Sequence, residues 1–170
     1  MHQEANVWTC ELRFATPTHA PLWVSCSRKV RQSHLPVRIL VCARPGAAAA
    51  RNLGVRQAQT QWILFLDSDC LPTPGLIDGY RQAMNGAIAY AGIVRAERSD
   101  PVSQYYDAQS ILNPPPLWDN GEDRPAYLIT ANALVWRQAL ARIGGLDERF
   151  PLAGGVIWRK ICQEQEGMIT

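Results

Sequence analysis

The stretch Trp62 to Cys70, WILFLDSDC, constrains the fold more than any other part of the chain. Five consecutive apolar residues run into two aspartates separated by a serine. Trp62, Ile63, Leu64, Phe65 and Leu66 are aromatic, β-branched or bulky, too few for a free-standing helix, and continuous rather than alternating. That pattern predicts a strand covered on both faces. The strand must end at Asp67 to Asp69, because Leu71, Pro72, Thr73, Pro74 and Gly75 open a loop. Carboxylates at the end of a buried strand are costly unless they meet solvent or a cation, and ligands of open α/β sheets collect at that edge. The pair is therefore expected to face water or to hold Mg²⁺ or Mn²⁺. The competing reading is a pair of solvated turn carboxylates that start the next loop.

The 170 residues suit one domain with a real core, and 47% apolar against 19% charged residues is ordinary for a globular chain. No apolar run approaches membrane-spanning length, and the start, MHQEANVWTCELR, lacks a secretory signal. Cys10, Cys26, Cys42, Cys70 and Cys162 are scattered and odd in number, so they read as reduced thiols of a cytoplasmic protein. Residues 1 to 60 contain eight Arg or Lys and only Glu4 and Glu11 as acids; the remainder is net acidic. A basic segment beside acidic residues suits a phosphate-bearing substrate or a solvated face. Nucleic acid fits less well, since no basic run is interleaved with aromatics.

Residues 1–36, interrupted by Pro17, Pro21 and Pro36, show no lasting period and form the first expected segment; residues 37–170 form the second. Val37 to Cys42 reads as a strand and Ala47 to Gln59 as an alanine-rich helix carrying Arg51 and Asn52. A helix from about Gly75 to Met84 follows the aspartates, stopped by Asn85 and Gly86. Ala87 to Val94 is a further strand, expected in one sheet with the first two. Asn113 to Pro125, rich in Pro, Gly, Asn and Asp, reads as a long loop. Tyr127 to Val135 is strand-like, Trp136 to Ile143 is a short helix closing on Gly144 and Gly145, and Val156 to Gln165 is a last amphipathic helix.

Side by side, Ala50-Arg51-Asn52-x-Gly54, the apolar strand ending in Asp67-x-Asp69, and Gly144-Gly145-Leu146-Asp147-Glu148 resemble the ordered motifs of the family 2 glycosyltransferases. The resemblance implies a GT-A, Rossmann-like fold with a mainly parallel sheet and helices on both faces. It also implies transfer of a sugar from a nucleotide-diphosphate sugar to an acceptor hydroxyl. By the family pattern Asp69 ligates the divalent cation, with Asp67 beside it or near the ribose, and Arg51 and Asn52 lie on the donor side, although Arg51 equally suits a capping or pairing role on the sheet edge. Asn132 and Arg137 match the family's Asn and Arg around the acceptor-side strand; each residue equally suits a local hydrogen-bonding role. Asp147 and Glu148 suit capping or loop roles better than catalysis. The acceptor can be glycan, lipid or protein, with peripheral membrane contact for a lipid.

Two departures accompany the resemblance. No aspartate precedes Asp67, so the family's usual nucleobase loop is missing and the nucleotide-binding half is expected to be incomplete, as in an N-terminally truncated copy. After Pro151, where the family has Glu-Asp with the general base, this chain has Val156 and Ile157. Neither can accept a proton. Two further functional classes stay open. LFLDSDC also resembles the first motif of haloacid-dehalogenase-like phosphatases, although only Lys160 follows it as a candidate lysine. A non-catalytic remnant that binds a nucleotide or a partner is the other.

Overall fold

The computed structural model describes residues 40–67, 69–97, 100–119, 122–125 and 127–149. In order these form α1 (Ala47–Gln57), β1 (Trp62–Leu66), α2 (Leu76–Ala83), β2 (Ala89–Ala91), α3 (Pro101–Ala108), β3 (Pro116–Asp119), β4 (Glu122–Pro125), β5 (Asn132–Trp136) and α4 (Arg137–Arg142). The chain divides into two units, Met1–Thr60 with Gly145–Gly154, and Gln61–Gly144 with Gly155–Thr170.

In the second unit β1, β5 and β2 form a sheet in that order, both pairings antiparallel. Trp62 lies opposite Trp136 and Leu66 opposite Asn132, while Ala89 to Ala91 pair with Val135 to Ala133. β1 and β2 thus point the same way, joined through α2, and β5 fills the slot between them. Among the described strands the expected parallel ladder is therefore not seen. The crossover leaves its two strands one position apart, and the strand that enters between them runs in the opposite sense. It also relocates the most buried strand, because Asn132 to Val135 are all buried whereas β1 is mostly half-buried, with Leu66 37% exposed. Ala133 and Val135 are fully buried, as the centre of a covered sheet requires.

Tyr80 of α2 packs with Ala87, Tyr90 and Leu134, and Trp62, Leu64 and Leu76 close around them. The Trp62 and Tyr90 rings meet at 5.8 Å in a tilted arrangement, a favourable aromatic geometry. α2 ends at Met84, and Gly86, at φ 96°, supplies the left-handed turn that Asn85-Gly86 predicts. β5 runs into α4 without a linker, and the Arg137 N–H donates to the Gln61 carbonyl at 2.8 Å.

The region from 101 to 125 is more regular than its composition suggests. Asp100 caps α3, its carboxylate accepting from the Val102 and Ser103 N–H groups at 3.0 and 3.1 Å, with Pro101 at the first helical position. β3 and β4 pair antiparallel from Pro116 opposite Pro125 to Asp119 opposite Glu122. Asn113 ties the segment back, accepting from the Val94 N–H at 2.8 Å and donating to the Val94 carbonyl at 2.9 Å. The expected strand at Val37 to Cys42 is not formed at Leu40 to Cys42, and its first three positions lie outside the described residues. The last expected helix, Val156 to Gln165, lies outside them altogether.

In the first unit α1 buries Ala48, Ala49, Ala50 and Asn52. The three alanines are consecutive, so α1 is buried around more than half of its first turns, where small side chains let its backbone approach what it packs against, and the buried asparagine needs partners.

Candidate functional site

The chain turns sharply after β1. The Cys70 N–H donates to the Asp67 carbonyl at 3.0 Å, closing a four-residue turn that contains both aspartates. Asp67 is half-buried and Asp69 exposed. Burial, then the charges of Asp69 and Asp67, push the Cys70 thiol above its ordinary pKa, against a lowering hydrogen bond from the Asp67 backbone. The thiol beside these carboxylates is therefore held protonated and is a weak nucleophile.

A buried polar frame stands at the start of β5. The fully buried Thr130 hydroxyl donates to Asp67 Oδ1 at 3.4 Å. Asn132 Oδ1 accepts from the Tyr80 hydroxyl at 2.7 Å, and its Nδ2 donates to the Ile93 carbonyl at 3.1 Å. Burial drives the Tyr80 phenol well above its ordinary pKa, opposed in part by a backbone hydrogen bond from Gly92, so Tyr80 remains a donor. Gly92 is required here. A Cβ on it would lie 2.5 Å from the Tyr80 hydroxyl and overlap the Asn132 amide.

The first unit contains a second polar knot. Asn52 Nδ2 donates to the Leu146 carbonyl at 2.9 Å and to Glu148 Oε1 at 2.8 Å, while its Oδ1 accepts from the Leu146 N–H at 2.8 Å. One amide thus pairs with a backbone residue as a strand neighbour would. Glu148 Oε2 is paired with Arg44 at 2.6 Å. Gly145 has φ 82°, and a Cβ there would sit 2.7 Å from Asn52 Oδ1. The motif around Asn52 and the motif around Gly145 are therefore one physical feature, written in two places.

The predicted site residues separate accordingly. Asp67 and Asp69 share one turn. Asn132 is buried at the adjoining strand end, with its carbonyl and its amide both engaged by the protein. Asn52 is likewise buried, on the loop from Leu146 to Glu148. Arg51 is half-buried on α1, and Arg137 opens α4. Val156 and Ile157 lie outside the described residues. Thr130, Tyr80 and Gly92 were not singled out by sequence reasoning. A lone threonine ahead of a strand carries no spacing signal, whereas Gly92 after an apolar run marks close backbone approach.

Oxygen-only donors suit Mg²⁺ or Mn²⁺. No group of three or more His, Cys, Asp or Glu able to hold a metal occurs among the described residues. Such cations keep waters and substrate phosphates in their shell, so a carboxylate pair fits one shared with a diphosphate. Among the described residues no helix is long and apolar enough to cross a membrane. Cys42 and Cys70 are free thiols.

No curated protein matches the chain. Among solved structures it is similar to the mannosyltransferase PcManGT from Pyrobaculum calidifontis, in complex with GDP-Man and Mn²⁺, with TM-score 0.54 and 21% identity. The match covers 84% of this chain and 38% of that one, and it shows a shared GT-A-like α/β fold. The sequence profile of glycosyl transferase family 2 matches residues 25–144, starting ahead of Val37 and taking in the Asp67 turn, Thr130 and β5. By this match over most of its length, the chain belongs to glycosyl transferase family 2.

Proposed function

We propose that the chain binds a nucleotide-diphosphate sugar through a divalent cation at Asp69 and Asp67, as part of a transfer to an acceptor hydroxyl. The observation that carries this reading is the turn closed by Cys70 N–H on the Asp67 carbonyl, which sets Asp67 and Asp69 in one tight turn at the end of β1. A bound Mg²⁺ or Mn²⁺ would offset the negative charge that gathers on the departing nucleoside diphosphate. The protein supplies the carboxylates, the buried hydroxyl behind Asp67, and a sheet edge that fixes both. Arg51, which the family motif assigns to the diphosphate, belongs to the other unit, and its assignment rests on the motif. The phosphatase reading loses its support, because family membership accounts for the same Asp-x-Asp motif.

The neighbour's GDP-Man makes a mannose donor the first to try. The acceptor remains a glycan, lipid or protein hydroxyl, and nucleic acid has no place in this reading. The two-part organisation, 1–36 and 37–170, a cytoplasmic location and peripheral membrane contact for a lipid acceptor belong to the same proposal. So does weak or absent turnover. Val156 and Ile157 stand where the family has its base, and loss of general base catalysis costs about 10² to 10⁴ in rate.

The test is calorimetric titration of Mn²⁺, alone and with GDP, into wild type and Asp69→Ala. Binding lost in the variant supports the site; equal heats in both overturn it. Nucleotide release from a panel of sugar nucleotides addresses turnover. Robust wild-type release abolished by Asp69→Ala would show that the base is supplied elsewhere in the chain.

A further inference from the structure

We infer that Thr130 is a positioning residue for Asp67: its buried hydroxyl fixes the carboxylate orientation in which the Asp67 to Cys70 turn takes a divalent cation. The inference rests on the proposed role of that turn. It goes beyond it by assigning a function to a residue outside the Asp-x-Asp motif.

Three observations point to Thr130. Its side chain is completely buried, and its Oγ1 donates to Asp67 Oδ1, a group 63 positions earlier in the chain. Leu66, immediately before Asp67, lies opposite Asn132 in the β1 to β5 ladder, so the strand register itself delivers Thr130 to the carboxylate. The start of β5 is also rigidly held. Asn132 is clasped by Tyr80 and by the Ile93 carbonyl, Gly92 N–H donates to the Asn132 carbonyl at 2.9 Å, and the Asn132 N–H reaches back to Ile129 at 3.4 Å. Thr130 therefore stands on a frame, and from it reaches one carboxylate oxygen of Asp67 at the end of β1.

The physical consequence follows from how ligand carboxylates behave. A hydrogen bond to one oxygen restricts rotation of the group and selects which lone pairs remain for a cation; losing such a partner typically costs 10–100-fold in metal affinity. A threonine suits this task better than a serine of equal chemistry, because its branched carbon limits its own rotation. A hydroxyl that merely satisfies its burial would affect stability and leave cation affinity alone.

Mn²⁺ binding, alone and with GDP, is measured by calorimetry for wild type, Thr130→Val, Thr130→Ser, Thr130→Cys, Asp67→Asn and Asp69→Ala, each accompanied by a thermal melt. We expect Thr130→Val to bind about 10–100-fold more weakly and Thr130→Ser to stay within about threefold of wild type. Thr130→Cys, with a weak donor of similar size, should fall between them. Should Thr130→Val fail to fold, the Ser to Cys ranking carries the test, with equal affinities for the two overturning the inference. Val affinity equal to wild type, where Asp69→Ala has lost binding, overturns the role of Thr130 and leaves the cation site standing. Wild type that binds Mn²⁺ in neither condition removes the site and the inference with it.

Discussion

Glycosyl transferase family 2 motifs place an acidic pair in each unit of this chain, and the two pairs are treated in opposite ways. In the loop after Gly145, Glu148 is bound by Asn52 and Arg44, and Asp147 by Arg149 through two of its guanidinium nitrogens. In the turn after β1, Asp69 is exposed and forms no ion pair with a described residue, and Asp67 accepts from a neutral hydroxyl. Carboxylates already matched with arginine serve the fold. An exposed carboxylate such as Asp69, with no ion pair to a described residue, still has charge to offer a cation, and the same residue type in the same family thus takes different work.

The largest effect should come from the matched region. Asn52→Leu leaves the Leu146 N–H and carbonyl without their side-chain partner in a buried place and strips Glu148 of a donor, each such loss worth about 1–3 kcal/mol. We expect a loss of about 3 kcal/mol, a melting shift of roughly 6–12 °C for a chain of this size. Urea and thermal unfolding measure it; an unchanged midpoint would remove the structural side of the comparison.

Next comes Gly92→Ala, in the frame behind the aspartates. The new Cβ must displace the Asn132 amide and the Tyr80 hydroxyl, and overpacking of this kind costs about 1–3 kcal/mol. A crystal structure of the variant should show β5 shifted at its start. Wild-type stability would mean that the frame yields easily.

Tyr80→Phe should cost about 1 kcal/mol at neutral pH through the lost bond to Asn132. It should also change the alkaline limb of stability. The unfolded phenol ionises near 10, while the buried one holds its proton to higher pH. The unfolded state therefore releases its proton first as pH rises, so this contribution is intact below about pH 10 and declines above it. Urea midpoints at pH 8 and pH 10.5 should diverge more for wild type than for the variant, and equal divergence would contradict the burial argument.

The smallest change in stability is expected for Asp69→Ala, within about 0.5 kcal/mol for an exposed turn residue. This variant must nevertheless lose Mn²⁺ binding. If it unfolds the protein while Asn52→Leu does not, the assignment of structural and ligand-facing pairs is reversed.

The sequence was most legible where one local signal decides the outcome. Trp62 to Leu66 formed a strand because five bulky residues have no other economical arrangement, and Ala47 to Gln57 formed a helix two residues shorter than its alanines suggest. The mainly parallel character is not seen among the described strands, and the sequence could not decide it, because periodicity within a strand reports burial but not which neighbour will lie beside it. Two local signals were present and were outweighed by composition. Ser99-Asp100-Pro101 is a helix start, and the pair Asn120-Gly121 between Pro116 to Asp119 and Glu122 to Pro125 is a hairpin signal. The aspartates of the candidate site could be found from their spacing. Thr130 could not, since its part in the site depends on a strand register that brings residues 63 positions apart together.

The position of β5 has a consequence for how the protein is made. The strand that fills the middle of the described sheet, Asn132 to Trp136, is the last of its three strands to leave the ribosome, so Trp62 to Leu66 and Ala89 to Ala91 both emerge before the described strand they pair with. At 5–20 residues per second, β1 waits roughly 3–15 s for β5 on a nascent chain. Trp62, Ile63, Leu64, Phe65 and Leu66 in that interval are a template for aggregation, and Asp67 and Asp69 directly after them act as charged gatekeepers. The carboxylates proposed to hold a cation would thus also guard the strand before the fold exists.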